Sequence, residues 1–324
     1  MAARESLSRR DLFGAGLGRL AGHYLDRLHG PSEEEAVESS PSEARDPDEA
    51  RGAAWRRGDL RALARRLEPA AEQLVEVADV GSGDAVLDAG AGDGNVAVVA
   101  EGVGAAVTAC DLSPAAVELG RQRTDSLDRP IEWRVAAVED LPFEEGRFDA
   151  ALSSFGAMYA PEPRRAMAEL RRVVRPGGMV AMTAWTSSGP MGRLLRVPKR
   201  FGASTTPARR WGSWEGAYLH FTSFDDFEVN ERSLRWSFEG TEAMVDEILG
   251  WPGPIGWTAG EDPARRATLH SELAQLVDGF GADSEVELEV AYTVITGRVP
   301  DHVEDSDDHV LSRAEHYHAA RGGR

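Results

Sequence analysis

Residues 86–95 read V-L-D-A-G-A-G-D-G-N, and this stretch decides the fold. A short apolar strand ends in Asp88, and three glycines follow at alternate positions before an apolar run at 96–100 begins a helix. Glycine lets the backbone turn sharply and approach a ligand closely, because it has no Cβ atom. The first N–H groups of the helix face the turn. The pattern therefore predicts a site for a nucleotide-like ligand at the carboxyl end of a strand.

The glycine spacing argues against two common phosphate-binding motifs. A dinucleotide site has the pattern G-x-G-x-x-G, but the residue three positions after Gly92 is Asn95. A P-loop needs a Lys-Ser or Lys-Thr pair, and none follows here. The acidic residue ahead of the turn suits a ligand with an ammonium end, such as S-adenosylmethionine, which carries no phosphate. The alternative interpretation is a glycine-rich turn that only connects two elements.

A second strand is predicted at 106–110, and Asp111 stands at its end, 17 residues beyond Gly94. In nucleotide-binding α/β folds, an acid at this point accepts hydrogen bonds from the ribose hydroxyls. An ordinary carboxylate at a strand end is the alternative. Ser113 and Pro114 then begin a helix, with the serine as its N-cap.

Four stretches in the correct order resemble class I S-adenosylmethionine-dependent methyltransferases of the type 11 group, which include proteins similar to the quinone-biosynthesis C-methyltransferases. Residues 86–95 resemble the family's first motif, and A-C-D-L-S-P at 109–114 resembles the second. Residues 138–156 resemble the third and fourth, and residues 169–185 resemble the stretch that leads into the fifth strand. The resemblance covers about 55–185 and implies a methyltransferase with S-adenosyl-L-methionine as its cofactor.

The resemblance also implies roles for individual residues around this cofactor. The residues implied to shape its methionine side are Asp88, Gly90, Gly92 and Gly94. Those implied to bind its ribose and adenine are Asp111, Leu112, Val138 and Glu139. Those implied to face its reactive side are Ser153, Ser154 and Phe155. One departure stands out: Ala137 occupies the position where the family often has an Asp that bonds the adenine amino group.

Composition narrows the choice of partner. The chain has 324 residues, and 55 acidic against 36 basic residues give a net charge of -19. This charge disfavours nucleic acid, whose phosphates would be repelled. Cys110 is the single cysteine, so it forms no intramolecular disulfide, and we expect it to be buried. The single cysteine fits a cytoplasmic protein in a reducing compartment. The family resemblance implies that the partner is a small-molecule acceptor.

The N-terminus leaves two alternatives to a purely cytoplasmic location. Residues 8–13, S-R-R-D-L-F, resemble a twin-arginine export signal, although charged residues interrupt the apolar stretch that follows. Apolar residues fall on one face of a predicted amphipathic helix over 1–30, which is free to pack on the domain or to contact a membrane surface peripherally. The residues of this face are Phe13, Leu17, Leu20, Tyr24 and Leu28.

Alternating strand and helix patterns predict a Rossmann-like, doubly wound α/β fold with a parallel sheet and crossover helices. The family resemblance implies seven strands, the last of them antiparallel, and a helical cap over the acceptor. We expect a disordered acidic linker over 31–52, a methyltransferase domain over 53–299, and a disordered acidic and His-containing tail over 300–324, with no metal site. The cap is predicted to form from insertions at about 186–222 and 240–285.

Six of the eight tryptophans fall from Trp185 onward, many of them within the predicted cap. Together they predict a water-poor pocket for an apolar or aromatic acceptor, such as a phenol or quinol methylated on carbon or oxygen. The alternative is that these rings only form the core of the cap. If the acceptor must lose a proton, His220 and Tyr159 are the candidates for the base. A catalytically degenerate S-adenosylmethionine-binding protein with a regulatory or scaffold role is the alternative function.

Overall fold

A seven-stranded sheet lies at the centre of the protein. The computed structural model describes residues 51–52, 55–56, 58–196, 211–255, 263–277 and 285–301, all within one compact unit, Arg45–Arg324. The strands are β1 (Ala85–Ala89), β2 (Ala106–Asp111), β3 (Glu132–Val135), β4 (Phe148–Ser154), β5 (Val174–Trp185), β6 (Asp225–Phe238) and β7 (Val286–Arg298).

The strand order across the sheet is β3-β2-β1-β4-β5-β7-β6. The pairings from β3 through to β5 are parallel, whereas β7 runs antiparallel to both β5 and β6. This confirms the predicted Rossmann-like sheet with an antiparallel last strand. The chain moves outward from β1 to β3 and then returns to β4 on the other side of β1. Such a reversal leaves a crevice at the carboxyl ends of β1 and β4, which is where ligands bind in open α/β sheets.

Eight helices of four residues or more lie in the described part of the chain. They are α1 (Leu60–Val77), α2 (Asn95–Gly102), α3 (Pro114–Thr124), α4 (Pro163–Val173), α5 (Pro190–Leu194), α6 (Trp214–Phe221), α7 (Thr241–Leu249) and α8 (Pro263–Val277). Ser113 caps α3 as predicted, because its side chain accepts from the Ala116 N–H. None of the described helices is long and apolar enough to cross a membrane.

The central strand β1 is buried on both faces, because helices cover the sheet there. Val86, Leu87 and Ala89 of β1 are each 0% exposed, although their side chains alternate between the two faces. On one face, α1 buries an apolar stripe that includes Ala70, Ala71 and Leu74. Cys110 is also buried, as expected.

The fifth strand differs from the prediction. The sequence R-P-G-G at 175–178 predicts a turn before β5, but this stretch forms part of the strand as a bulge. The register of the β4–β5 pairing shifts at this point, because Phe148 pairs with Val174 whereas Ala150 pairs with Met179. Gly177 takes a left-handed conformation with φ of 72°, which accommodates the extra residues.

The predicted domain boundary at residue 53 needs a correction. Arg51 and Gly52, which the sequence places in the disordered linker, are helical and pack against the domain. The predicted N-terminal helix, the rest of the linker and nearly all of the predicted tail lie outside the described residues, as do parts of the predicted cap. Among the described residues, no group of three or more His, Cys, Asp or Glu side chains is arranged to hold a metal ion.

Candidate active site

A cavity of about 550 Å³ opens at the carboxyl ends of the central strands. Asp88 from β1, Asp111 from β2, Ser154 from β4 and Trp185 from β5 all line it. Its volume lies in the range of roughly 300–1,000 Å³ found for small-molecule sites. The reversal of strand order therefore places the sequence-predicted motifs around one cavity.

The glycine turn forms the floor of this cavity. Gly92 has a left-handed backbone with φ of +60°, and a Cβ atom there would meet only the Leu60 Cδ1 atom, at 3.9 Å. The position thus faces open space, where a side chain would compete with a ligand. Gly90 lies so close to Gly156 that an added Cβ would come within 2.9 Å of the Gly156 Cα. Gly94 instead packs against Trp133 and does not line the cavity.

Asp111 is fixed on the cavity wall by two backbone groups. The Gly92 N–H donates to its Oδ2 at 2.9 Å, and the Ser113 N–H donates to its Oδ1 at 2.8 Å. Both oxygens keep lone pairs for a ligand, because a carboxylate has about four acceptor positions. The β2 carboxylate is thus tied directly to the β1 turn.

The site contains more negative than positive charge. Asp88 is 1% exposed and accepts from the Ala97 N–H at 2.9 Å. Burial, together with the charges of Asp111 and Asp93, raises the pKa of Asp88 to about 7. Burial also raises the pKa values of Asp93 and Asp111. A cationic ligand would stabilise these carboxylates in their charged form.

Arg123 of α3 holds the far side of the glycine turn. Its guanidinium donates to Asp93 at 3.0 Å, to Asn95 at 2.7 Å and to Glu68 of α1 at 3.0 Å. The Asn95 side chain in turn donates to the Ala64 carbonyl at 2.8 Å. Sequence analysis missed this network, because Arg123 is one of two arginines on α3 and no spacing rule connects it to the turn.

The loop 136–139 and Leu112 line another part of the cavity. The Glu139 carboxylate forms an ion pair here with the Arg51 guanidinium, with 3.0 Å between nitrogen and oxygen. The next residue, Gly52, packs closely on Leu112, since a Cβ atom added to Gly52 would lie 3.0 Å from the Leu112 carbonyl oxygen. Ala137 also lines the cavity, so a methyl group stands where the family often has a carboxylate. Sequence analysis missed Arg51, because the composition of its surroundings is typical of a linker.

The end of β4 forms a strained corner. Phe155 has φ of 55°, which is rare for a residue other than glycine, and its N–H donates to Thr183 Oγ1 at 2.9 Å. Its ring stacks on Trp185, with 3.8 Å between the ring centroids. The Ser154 side chain lines the cavity, and its buried oxygen has no hydrogen-bond partner in the described structure. Ser153 is different, because its hydroxyl bonds to the Ala89 and Ala157 backbones and the residue does not line the cavity.

Comparisons with known proteins identify the family. A family model of the methyltransferase domain, type 11, matches residues 87–182. An uncharacterized protein of Mycobacterium tuberculosis is 32% identical over 254 residues, which span 75% of this chain and 92% of that protein. The chain belongs to the type 11 group of class I S-adenosylmethionine-dependent methyltransferases.

Two further similarities agree with this membership. A demethylmenaquinone methyltransferase of Clavibacter sepedonicus is 38% identical over 106 residues, which span 33% of this chain and 43% of that protein. The solved structure of the YcgJ protein from Bacillus subtilis has the same fold, with a TM-score of 0.54 at 16% identity, and the match covers 72% of this chain and 98% of that chain.

The residues present fit S-adenosyl-L-methionine, the cofactor of this methyltransferase. The open space above Gly92 gives the ligand access to the backbone. The buried carboxylates favour a ligand with ammonium and sulfonium charges. The unpaired Ser154 hydroxyl offers a further polar contact. These three features come from different elements, and they meet only in the folded chain.

The rest of the methyltransferase cavity is apolar. It is lined mainly by aromatic and aliphatic side chains from α1, the 3₁₀ helix Ala157–Tyr159, α5 and the segment 251–255. These side chains are Trp55, Leu60, Leu63, Leu67, Phe155, Tyr159, Trp185, Met191, Leu195, Trp251 and Ile255. Among the described lining residues, the charged ones are Arg51, Asp88, Asp93, Asp111 and Glu139.

The two candidates for a general base have different outcomes. His220 lies on α6, its ring centroid is 4.3 Å from that of Trp211, and it does not line the cavity. The prediction that it serves as a base is corrected, because α6 packs outside the pocket. Tyr159 does line the cavity, but burial raises its pKa to about 12. Tyr159 therefore keeps its proton near neutral pH and is suited to donate a hydrogen bond.

Proposed function

We propose that this methyltransferase transfers its methyl group to a small, uncharged aromatic acceptor of the phenol or quinol class. The observation that carries the proposal is the apolar half of the cavity, whose described walls are aromatic and aliphatic. An apolar lining binds a flat hydrocarbon ring by excluding water, whereas a charged acceptor would lose its hydration without compensation. The similarity to a demethylmenaquinone methyltransferase supports the same class.

We also propose how the cofactor is held. Asp111 would accept hydrogen bonds from the ribose hydroxyls, and Leu112 and Val138 would contact the adenine. Asp88, Gly90 and Gly92 would shape the methionine side, with Gly94 setting the turn behind them. Glu139 and Ser154 would complete the cofactor half. Because Ala137 has no polar side chain, backbone groups of the loop 136–139 would contact the adenine edge.

Catalysis in this arrangement depends on alignment and exclusion of water. Bound S-adenosylmethionine supplies a methyl group already activated by the sulfonium. The glycine turn and Asp111 hold one reactant, and the aromatic walls hold the other. Fixing two reactants in line removes much of the entropic part of the barrier. The walls also keep water out of the reacting region.

The test is methyl transfer by the purified chain from labelled S-adenosylmethionine to a panel of phenols, hydroquinones and amines of matched size. We expect labelled product from the phenols or hydroquinones and far less from the amines. The variant Gly92→Val serves as the inactive control. Transfer to the amines alone would disprove the proposed acceptor class. Tight cofactor binding without any transfer would favour the degenerate, cofactor-binding alternative.

A further inference from the structure

Trp251 has an unusual position on the apolar wall of the cavity. The side chain lines the cavity and is 2% exposed, yet its Nε1 has no hydrogen-bond partner in the described structure. An indole nitrogen only donates hydrogen bonds. Buried donors in folded proteins are nearly always paired, so an exception requires an explanation. A bound ligand that carries a hydrogen-bond acceptor would satisfy this group.

Tyr159 provides a second donor in the same half of the cavity. Burial raises the pKa of its hydroxyl to about 12, so the group remains protonated near neutral pH. A protonated hydroxyl can donate its hydrogen to a ligand in the cavity that Tyr159 lines.

A chain of aromatic contacts fixes both donors in relation to each other. Trp185, which lines the same cavity, packs edge-on against Trp236 at 6.0 Å, and Trp236 packs edge-on against Trp251 at 5.4 Å. On the other side, the Trp55 ring lies 4.9 Å from that of Tyr159. Trp55 also abuts Gly253, where an added Cβ would come within 2.7 Å of the Trp55 ring. The two donors thus belong to one packed wall.

We propose that Trp251 Nε1 and Tyr159 Oη bind an oxygen-bearing edge of the acceptor and select for phenol or carbonyl oxygens. This inference rests on the proposed function and adds the atoms that recognise the acceptor. Neutral donors in an apolar wall suit an atom that accepts hydrogen bonds. They reject an ammonium group, because its N–H groups would face other donors. Both residues are substrate-binding residues in this proposal.

The test compares the binding of two probes of similar size, 1-naphthol and 1-methylnaphthalene, which differ by a hydroxyl against a methyl group. Binding is measured by calorimetry with S-adenosylhomocysteine present. We expect Trp251→Phe and Tyr159→Phe each to lower the affinity for naphthol by about 3- to 10-fold, as for the loss of one hydrogen bond. The affinity for methylnaphthalene stays near that of the wild-type protein.

Trp211→Phe is the matched control. Trp211 is 0% exposed and its Nε1 also has no partner in the described structure, but the residue does not line the cavity. This variant keeps the wild-type affinity for both probes. The melting temperature and the affinity for S-adenosylhomocysteine of every variant report on folding.

The inference would be overturned if the ratio of naphthol affinity to methylnaphthalene affinity in both Trp251→Phe and Tyr159→Phe equalled that of the wild-type protein. It would also be overturned if the wild-type protein did not bind naphthol. The binding measurement needs no turnover, so it is separate from the activity test. Methylation of phenols with unchanged ratios would leave the proposed function standing and remove only the inference.

Discussion

The backbone N–H of Gly92 donates a 2.9 Å hydrogen bond to Oδ2 of Asp111. The bond joins the turn after β1 to the end of β2, two positions 19 residues apart in the chain. The parallel pairing of β1 with β2 brings these strand ends side by side. As a result, the open glycine and the Asp111 carboxylate form one wall, and we expect a change at either position to affect the other.

The first prediction concerns the open space at Gly92. In Gly92→Val the side chain would enter the cavity, and we expect no measurable binding of S-adenosylmethionine by calorimetry. Gly83→Val is the matched control, because Gly83 also has a left-handed backbone, with φ of +93°, and has no atom within 4 Å of an added Cβ. Both variants lose stability through backbone strain of roughly 1–3 kcal/mol. Only Gly92→Val loses the cofactor, and wild-type affinity in that variant would place the ligand elsewhere.

The second prediction concerns the charge of Asp111. Asp111→Ala removes a charged acceptor, and we expect its affinity for S-adenosylmethionine to fall by about 10- to 100-fold. Asp111→Asn keeps the shape and one acceptor oxygen, so its affinity lies between those of the alanine variant and the wild type. Titration calorimetry gives all three values.

The control for Asp111 is Asp149→Asn. Asp149 also accepts from a backbone N–H, that of Ala85 at 2.7 Å, but it does not line the cavity. We expect this variant to bind the cofactor with wild-type affinity. If the Asp111 and Asp149 variants lost equal amounts of cofactor affinity, the loss would come from a general disturbance of the sheet and not from a contact with the ligand.

The third prediction is a pH dependence of stability that comes from Asp88. Folding raises the pKa of Asp88 from 3.8 to about 7, so the folded state binds a proton more tightly than the unfolded state between these values. This group therefore makes the ligand-free protein less stable as the pH rises from about 4 to 7. Asp88→Asn removes the effect.

We expect Asp88→Asn to gain stability over the wild type as the pH rises, with the difference approaching roughly 4 kcal/mol at most above pH 7. Urea unfolding without cofactor, at several pH values, measures the difference. For Asp149→Asn we expect the opposite pH dependence, a loss of stability relative to the wild type as the pH rises. The reason is that Arg175 lowers the pKa of Asp149, so the charged form of this carboxylate stabilises the folded state. A difference for Asp88→Asn that does not change with pH would contradict the prediction.

The fourth prediction concerns the ion pair between Arg51 and Glu139, whose side chains are 30% and 9% exposed. The pair lies on the rim that we assign to the adenine, so breaking it should speed the release of the cofactor. We expect Arg51→Ala and Glu139→Gln each to raise the dissociation rate of S-adenosylhomocysteine by about 3- to 10-fold, and the double variant to add little more. Stopped-flow fluorescence measures these rates.

The control for this ion pair is Arg134→Ala. Arg134 pairs with Glu132 at 2.6 Å, but its side chain is 57% exposed and the pair does not line the cavity. We expect the wild-type dissociation rate in this variant. Fully additive effects at Arg51 and Glu139 would show that the two residues act on the cofactor separately.

Much of the fold could be predicted because it depends on local patterns. The first strand, which ends near Asp88, and the second, at 106–110, lie close to their predicted positions, because short apolar runs beside turn residues mark buried strands. The end of β2 at Asp111 and the N-cap of α3 at Ser113 could also be read directly. The bulge at 175–178 was missed, because its Pro and Gly residues are equally typical of a turn.

By itself, the sequence determined the Rossmann-like sheet, the glycine turn and the family, because these depend on residues close together in the chain. The tertiary structure alone decided which side chains share the cavity. It brought Arg51 to Glu139 and Arg123 to Asp93, and it placed His220 outside the pocket. It also left the indole N–H of Trp251 buried without a hydrogen-bond partner among the described residues. Such contacts join segments that are distant in the chain. Their positions depend on how the helices pack on the sheet, and the spacing of residues along the sequence does not predict this packing.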